Sequence, residues 1–191
     1  MQGRNIGREE ERMPKTQRIC RACGGEMRLT RSDYQFKESG LDNVILKDIE
    51  VLVCKQCGSL VPRVPRLNDL MRTIAVAMVA KPYELTGPEV RFLRKFMDET
   101  IEHFSRKLGI DRSHLSRIEN QSLGISRQTD RLVRALALVH RPELLEKMAR
   151  LGRTESVLKQ LEDIKPEAEK VRIDVASLTH EYSYDLEPIA A

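Results

Sequence analysis

Four cysteines fall in two pairs of identical spacing, Cys20-Arg-Ala-Cys23-Gly and Cys54-Lys-Gln-Cys57-Gly, separated by thirty residues. Two cysteines at i and i+3 in a tight turn can place both sulfurs about 2.3 Å from one metal, so two such turns fill a tetrahedral site. Gly24 and Gly58 allow the positive φ that lets backbone amides point at the thiolates. Arg18, Arg21 and Lys55 stand nearby to offset negative charge. Disulfides fit poorly with a reducing compartment, and a redox dithiol explains one pair but not two. The pattern therefore predicts one structural zinc ion on Cys20, Cys23, Cys54 and Cys57, with iron in a rubredoxin-like site as the alternative. Four protein thiolates leave no open position for water, so the metal would be structural and not catalytic.

A second group of candidate residues lies in LGIDRSHLSRIEN, residues 108–120. Asp111 opens a short helix whose only apolar positions are Leu115 and Ile118. With those two turned inward, Arg112, Ser113, Ser116 and Arg117 point outward together. Arginine can bond guanine bidentately, and serine can reach a base edge or a phosphate. The N-terminal end of such a helix is the part that enters a DNA major groove. Thr100 and the amides at the start of the preceding helix could hold a phosphate.

These residues need elements to position them. Tyr34 and Phe36 alternate, and Ile45, Lys47, Ile49, Val51 and Val53 run along one face into the second cysteine pair, which predicts strands. A region with so few large apolar groups needs a metal staple to fold. Beyond Pro62 and Pro65, the residues Leu67, Leu70, Met71, Ile74, Ala75 and Met78 predict an amphipathic helix over roughly 66–80, stopped by Pro82, as connector or packing element. From Thr86 a series of five short helices follows. Phe92, Leu93 and Phe96 face inward in the first, after Gly87-Pro88-Glu89. Thr100 caps a second containing Ile101, Phe104 and Leu108, and Gly109 ends it. The Asp111 helix is third. Leu132, Val133, Leu136 and Val139 face inward in a fourth, and Leu144, Leu145, Met148 and Leu151 in a fifth. Two short helices joined by a glycine turn, the second mostly polar, predict a helix-turn-helix.

Lys and Arg number 33 against 29 Asp and Glu, giving a formal charge of +4 and a pI near 8.9. Residues 86–150 carry +4 and residues 151–191 carry −4, so the basic character sits in the body of the chain. No uncharged run reaches the ~18 apolar residues a membrane helix needs, and the N-terminus resembles neither a secretory signal nor a transit peptide. A cytoplasmic protein with no membrane partner is expected. HExxH, a Walker-type glycine loop and GxSxG are all missing and the four histidines are scattered, so no enzyme activity is expected.

The segment LTGPEVRFLRKFMDETIEHFSRKLGIDRSHLSRIEN resembles the Cro/C1 or Xre helix-turn-helix family, with Leu115-Ser116-Arg117-Ile118-Glu119 matching the second half of its pattern. Joined to the paired CxxC module, residues 18–150 resemble the MqsA/YgiT-type zinc-finger/helix-turn-helix proteins, many of them antitoxins. The resemblance implies a homodimer paired through its helical domain, binding a palindromic double-stranded operator as a transcriptional repressor. It also implies autoregulation of a type II toxin-antitoxin operon, with a small mRNA-cleaving ribonuclease toxin held by the zinc domain. The alternative is a stand-alone Xre-family transcription factor whose zinc module is structural or senses metal or redox state. Glu119 matches an acidic residue that usually makes an internal ion pair. Three positions depart from the pattern. Ile101 stands where glutamine often reaches for phosphate, Gln121 replaces the usual glycine after Glu-Asn, and Ser113 replaces an asparagine of the antitoxin archetype.

The expected architecture is thus α+β and multidomain, a small β-rich zinc ribbon followed by an all-α five-helix Cro/C1-type domain. The expected boundaries are a disordered arm over 1–17, the ribbon over 18–63, a connector helix and linker over 64–85, the DNA-binding domain over 86–150 and a C-terminal appendage over 151–191. Within that appendage Val157, Leu158, Leu161 and Ile164 predict a helix, and Val171, Ile173 and Val175 a strand. Its acidic, tyrosine-bearing end would suit a basic partner.

Overall fold

A computed structural model describes residues 19–154, 169–174 and 183–188. The arm expected over 1–17, the helix expected over 157–164 and Val175 lie outside the described residues. The class is α+β. The strands are β1 (Met27–Gln35), β2 (Val44–Cys54), β3 (Leu60–Pro62), β4 (Glu169–Asp174) and β5 (Ser183–Pro188). The helices are α1 (Leu67–Ala80), α2 (Gly87–Phe96), α3 (Ile101–Leu108), α4 (Arg112–Glu119), α5 (Arg127–His140) and α6 (Glu143–Arg150).

Contacts divide the chain into two compact units that do not follow one linear cut. One holds residues 19–31 and 50–63, and the other holds 32–49 and everything described from residue 64 onward. In the first unit the second half of β2 pairs antiparallel with β3, Leu52 opposite Val61. Among the described residues it has a small buried cluster of Cys20, Met27, Leu52 and Cys54. So little apolar burial leaves a fold of this size dependent on a staple.

In the second unit the first half of β2 pairs parallel with β4, Leu46 opposite Ile173, and β4 pairs antiparallel with β5. The C-terminal segment therefore contributes two strands to the sheet. Along β2 the alternation expected from sequence changes phase. Val44 and Leu46 are buried, then Ile49 and Val51, whereas Ile45, Lys47 and Val53 are partly exposed. The cause is Asp48, whose φ of 48° inserts one left-handed residue and flips the strand's faces, as a bulge does. Its amide donates to Asp33 Oδ1 at 3.1 Å.

Among the described residues six helices pack in this unit, the helix expected over roughly 66–80 and five after Thr86. Of the two roles expected for α1 it takes the packing one: residues 73–80 are all buried, and α1 packs against α2 and α6. Pairs of opposite charge lie inside the helical unit. Lys81 Nζ meets Glu89 Oε2 at 2.7 Å with both side chains fully buried, and Glu89 also accepts from the Thr86 amide and from Asn43. Arg134 Nε donates to Asp130 Oδ1, while its other nitrogens take the carbonyls of Val79, Lys81 and Tyr83 at the end of α1. Lys147 Nζ reaches Asp69 Oδ1 at 2.6 Å. Each buried cation is thus paired, which is the condition for its burial.

This network also sets the rotation of α5. The expected inward stripe was Leu132, Val133, Leu136 and Val139. The buried stripe is Asp130, Val133, Arg134 and Ala137, and Leu132 and Val139 are 38% and 76% exposed. Placing the Asp130–Arg134 pair inside turns two of the four apolar residues outward. On α6 Leu144 and Met148 are buried as expected, Leu145 is exposed, and Lys147 takes an inward position.

Candidate metal centre and nucleic-acid interface

The two cysteine turns are built alike. In the first, the Cys20 amide donates to Gly25 O at 2.8 Å and the Gly24 amide returns to Cys20 O at 2.8 Å. In the second, the Cys54 amide donates to Ser59 O at 2.9 Å and the Gly58 amide to Cys54 O at 3.1 Å. Gly24 and Gly58 have φ of 73° and 70°, the left-handed conformation that glycine adopts without strain. The Lys55 amide donates to Glu26 O at 3.1 Å, linking the two turns. Lys55 Nζ, expected to offset the thiolate charge, is paired with Glu26 at 2.7 Å.

Folding brings all four sulfurs within 4.8 Å of one another. Cys20 Sγ lies 3.6 Å from Cys57 Sγ, and Cys23 Sγ lies 3.4 Å from Cys54 Sγ. No disulfide joins them, and one of each pair is buried (Cys20, Cys54) while the other is exposed (Cys23, Cys57). Backbone amides of Cys57 and Gln56 bring the Cys54 thiol down to about 6, and those of Ala22 and Cys23 lower Cys20. The Gly25 amide also favours the Cys23 thiolate, but hydrogen bonding to the Cys54 and Cys57 sulfurs pushes that thiol up to about 12. The site thus favours two thiolates, while crowding opposes deprotonation of Cys23. A metal cation relieves that crowding, and this donor set could hold one metal ion.

The second set of predicted residues lies on α3 and α4. Thr100 caps α3, its Oγ1 accepting from the His103 amide at 3.1 Å. Gly109 ends α3 with φ of 67°, and the three-residue turn 109–111 leads into α4. Asp111 occupies the position before α4, but its side chain makes no capping bond. Leu115 and Ile118 are buried at 0% and 2% exposure, as expected. Arg112, Ser113 and Arg117 are exposed and Ser116 is partly so. Neither arginine forms an ion pair among the described residues. The four side chains therefore present one polar, positively charged face, and the exposed Thr100 lies at the start of the helix before it.

Buried contacts fix α4 beneath that face. Arg94 of α2 donates to both carboxylate oxygens of Glu119, and Arg91 donates to Glu119 O and to Asn120. At Gly87 a Cβ would come within 2.2 Å of Ile118 O, so α2 and α4 touch backbone to backbone there. Nothing in the sequence sets Arg91 and Arg94 apart from ordinary polar-face residues of α2. Arg106, outside the expected set, lines a depression with Gly109, Asp111 and His114 at the α3–α4 turn. Its one distinguishing mark in the sequence is its place three residues before the turn glycine.

No protein-family model matches the chain, and no curated protein matches it. Among the described residues no helix is long and apolar enough to cross a membrane.

Proposed function

We propose that this chain is a sequence-specific double-stranded DNA-binding transcriptional repressor in which α3 and α4 form a helix-turn-helix. The observation that carries the reading is the solvent-facing cluster Arg112, Ser113, Ser116 and Arg117 on a short helix, held from behind by Leu115, Ile118 and Glu119. Helices entering a major groove read base edges through side chains of this type at their N-terminal end. A palindromic operator calls for two copies, and the exposed Leu132 and Val139 of α5 offer an apolar stripe on which a homodimer could pair.

The metal in this reading is one structural zinc ion. Tetrahedral zinc with sulfur at about 2.3 Å has sulfur–sulfur edges of about 3.8 Å, and the Cys20–Cys57 and Cys23–Cys54 sulfur pairs, at 3.6 and 3.4 Å, lie near that value. Resemblance to MqsA/YgiT-type antitoxins supports the more specific reading, in which the chain autoregulates its operon and its zinc domain neutralises an mRNA-cleaving toxin. The exposure of Cys23 and Cys57 favours a second reading, a stand-alone regulator that senses metal or oxidant through these sulfurs.

The test is a gel shift on the DNA upstream of this protein's own gene, with and without the adjacent gene product. Retardation by the chain, altered by that product, is the antitoxin outcome. Retardation abolished by EDTA or peroxide and indifferent to the neighbour favours the sensor. No retardation of upstream DNA at low salt removes the repressor reading.

A further inference from the structure

Within the helical unit a cavity of about 610 Å³ opens among α1, α2, the α5–α6 turn and the 3-10 turn at Lys37–Ser39. That volume lies in the ~300–1,000 Å³ range of small-molecule sites. Its apolar surface comes from Phe92, Phe96 and Met71. The two rings stack with centroids 6.1 Å apart and planes 17° from parallel. The Arg141 guanidinium lies 4.9 Å from the Phe96 centroid and is held there by its Nε bond to Phe96 O at 2.8 Å.

The charges around this cavity are unequally used. Arg141 is matched by Asp98 at 3.1 Å and Glu143 at 3.7 Å. Glu38 accepts from the Tyr34 hydroxyl at 2.6 Å. Arg72 and Lys95 also line the cavity, both are exposed, and neither has an ion pair among the described residues. An exposed cation is ordinarily just solvated. Here two of them border a space lined in part by aromatic rings, and the third lining cation, Arg141, already has two carboxylate partners. A ligand that satisfies both features carries an anion for Arg72 and Lys95 and a flat apolar body for Phe96 and Met71.

We propose that this cavity is a binding site for a small aromatic acid. The ring lies against Phe96 and Met71, and the acid group is held by Arg72 and Lys95, while Arg141 keeps the Phe96 wall in place. None of its lining residues belongs to the cysteine cluster or to the exposed face of α4, so it stands or falls independently of the DNA reading.

The experiment uses the full chain and 2-naphthoate, whose fluorescence is read cleanly because the protein contains no tryptophan. Saturable binding with a dissociation constant of about 1 mM or tighter is expected. Arg72→Glu with Lys95→Glu should weaken it by about tenfold or more, and because both side chains are exposed the double variant should keep the parent's circular dichroism and melting temperature. The neutral isostere naphthalene-2-methanol should bind at least about tenfold more weakly than the acid. Amide shifts on adding naphthoate should concentrate at residues 92–98 and 141. Absence of saturable binding, equal binding by the neutral compound, or full affinity in the folded double variant each overturns the proposal.

Discussion

Arg94 and Glu119 form a two-pronged ion pair, with Nε to Oε1 at 2.6 Å and Nη2 to Oε2 at 2.8 Å, and both side chains are nearly buried. The pair ties the last turn of α2 to the last turn of α4. A third bond, from Arg94 Nη1 to Glu99 O at 2.9 Å, anchors the loop that leads into α3. One guanidinium therefore sets the positions of both helices that carry the exposed polar face.

Replacing Glu119 by Ala leaves that guanidinium buried with its main partner gone. Breaking a buried pair from one side costs about 3–5 kcal/mol, and urea unfolding of Glu119→Ala should show a loss of that order. Converting Arg94 to Met in the same chain removes the stranded charge and should recover much of the loss. If Glu119→Ala unfolds like the parent, the pair contributes no specific stability.

Gln121 follows α4 with φ of 61°, where side-chain-bearing residues are strained. Glycine would adopt this conformation without strain. The Gln121 amide bonds Ile118 O at 2.9 Å. Gln121→Gly relieves the strain but gives back unfolded-state entropy, so the net gain should be about 0.5–1 kcal/mol. A melting temperature raised by a few degrees would bear this out, and a lowered one would show that the side chain contributes more than the conformation costs.

Glu99 supplies the pH dependence. The Lys107 ammonium hydrogen-bonded to its carboxylate, joined by His103, holds its pKa below the ordinary 4.5. A carboxyl group whose pKa falls on folding stabilises the fold above its unfolded pKa, and that contribution disappears as pH drops through the folded value. The stability advantage of the parent over Glu99→Gln should therefore be full above about pH 4.5 and shrink on acidification below it. Denaturant midpoints measured across that range check the sign. An advantage that grows with acid contradicts it.

How far the sequence carried depended on which force decided each position. The cysteine cluster was legible because two CxxCG turns of the same spacing with left-handed glycines admit few geometries. The α3–α4 turn was legible because Gly109 and the lone apolar pair Leu115 and Ile118 leave one rotation open to α4. The phase of β2 was not legible, because a single left-handed aspartate, Asp48, reverses a strand whose residues are apolar on both faces. The face of α5 was misjudged because Asp130 and Arg134 outweigh Leu132 and Val139 once each can neutralise the other inside. The packing of α1 depended on carbonyl partners for Arg134 that lie more than fifty residues away in sequence. Apolar periodicity does not register buried charge, and this helical unit buries several pairs.

Removing the proposed metal ion should affect one unit far more than the other. Residues 19–31 and 50–63 share a buried cluster of two cysteines with Met27 and Leu52, whereas the helical unit has a large apolar core of its own. With a strong chelator, or in Cys54→Ser, amide hydrogen exchange in those two segments should rise steeply. The helical signal at 222 nm should persist. Unchanged exchange there would mean the segments hold together without metal.

The sharpest test of the proposed interface is Arg117→Ala, because its side chain is exposed and unpaired among the described residues, so folding should be spared. If Arg117 meets a base edge, affinity should fall by about 1–3 kcal/mol, with specificity relaxed at one operator position and the salt dependence of binding unchanged. If it meets a phosphate, the loss should be uniform across sequences and the salt slope should drop by about one. The same comparison on Arg112→Ala, one turn earlier on the same face, assigns the two arginines separately. Full affinity in both variants would take α4 off the DNA and leave its two arginines as a solvated face.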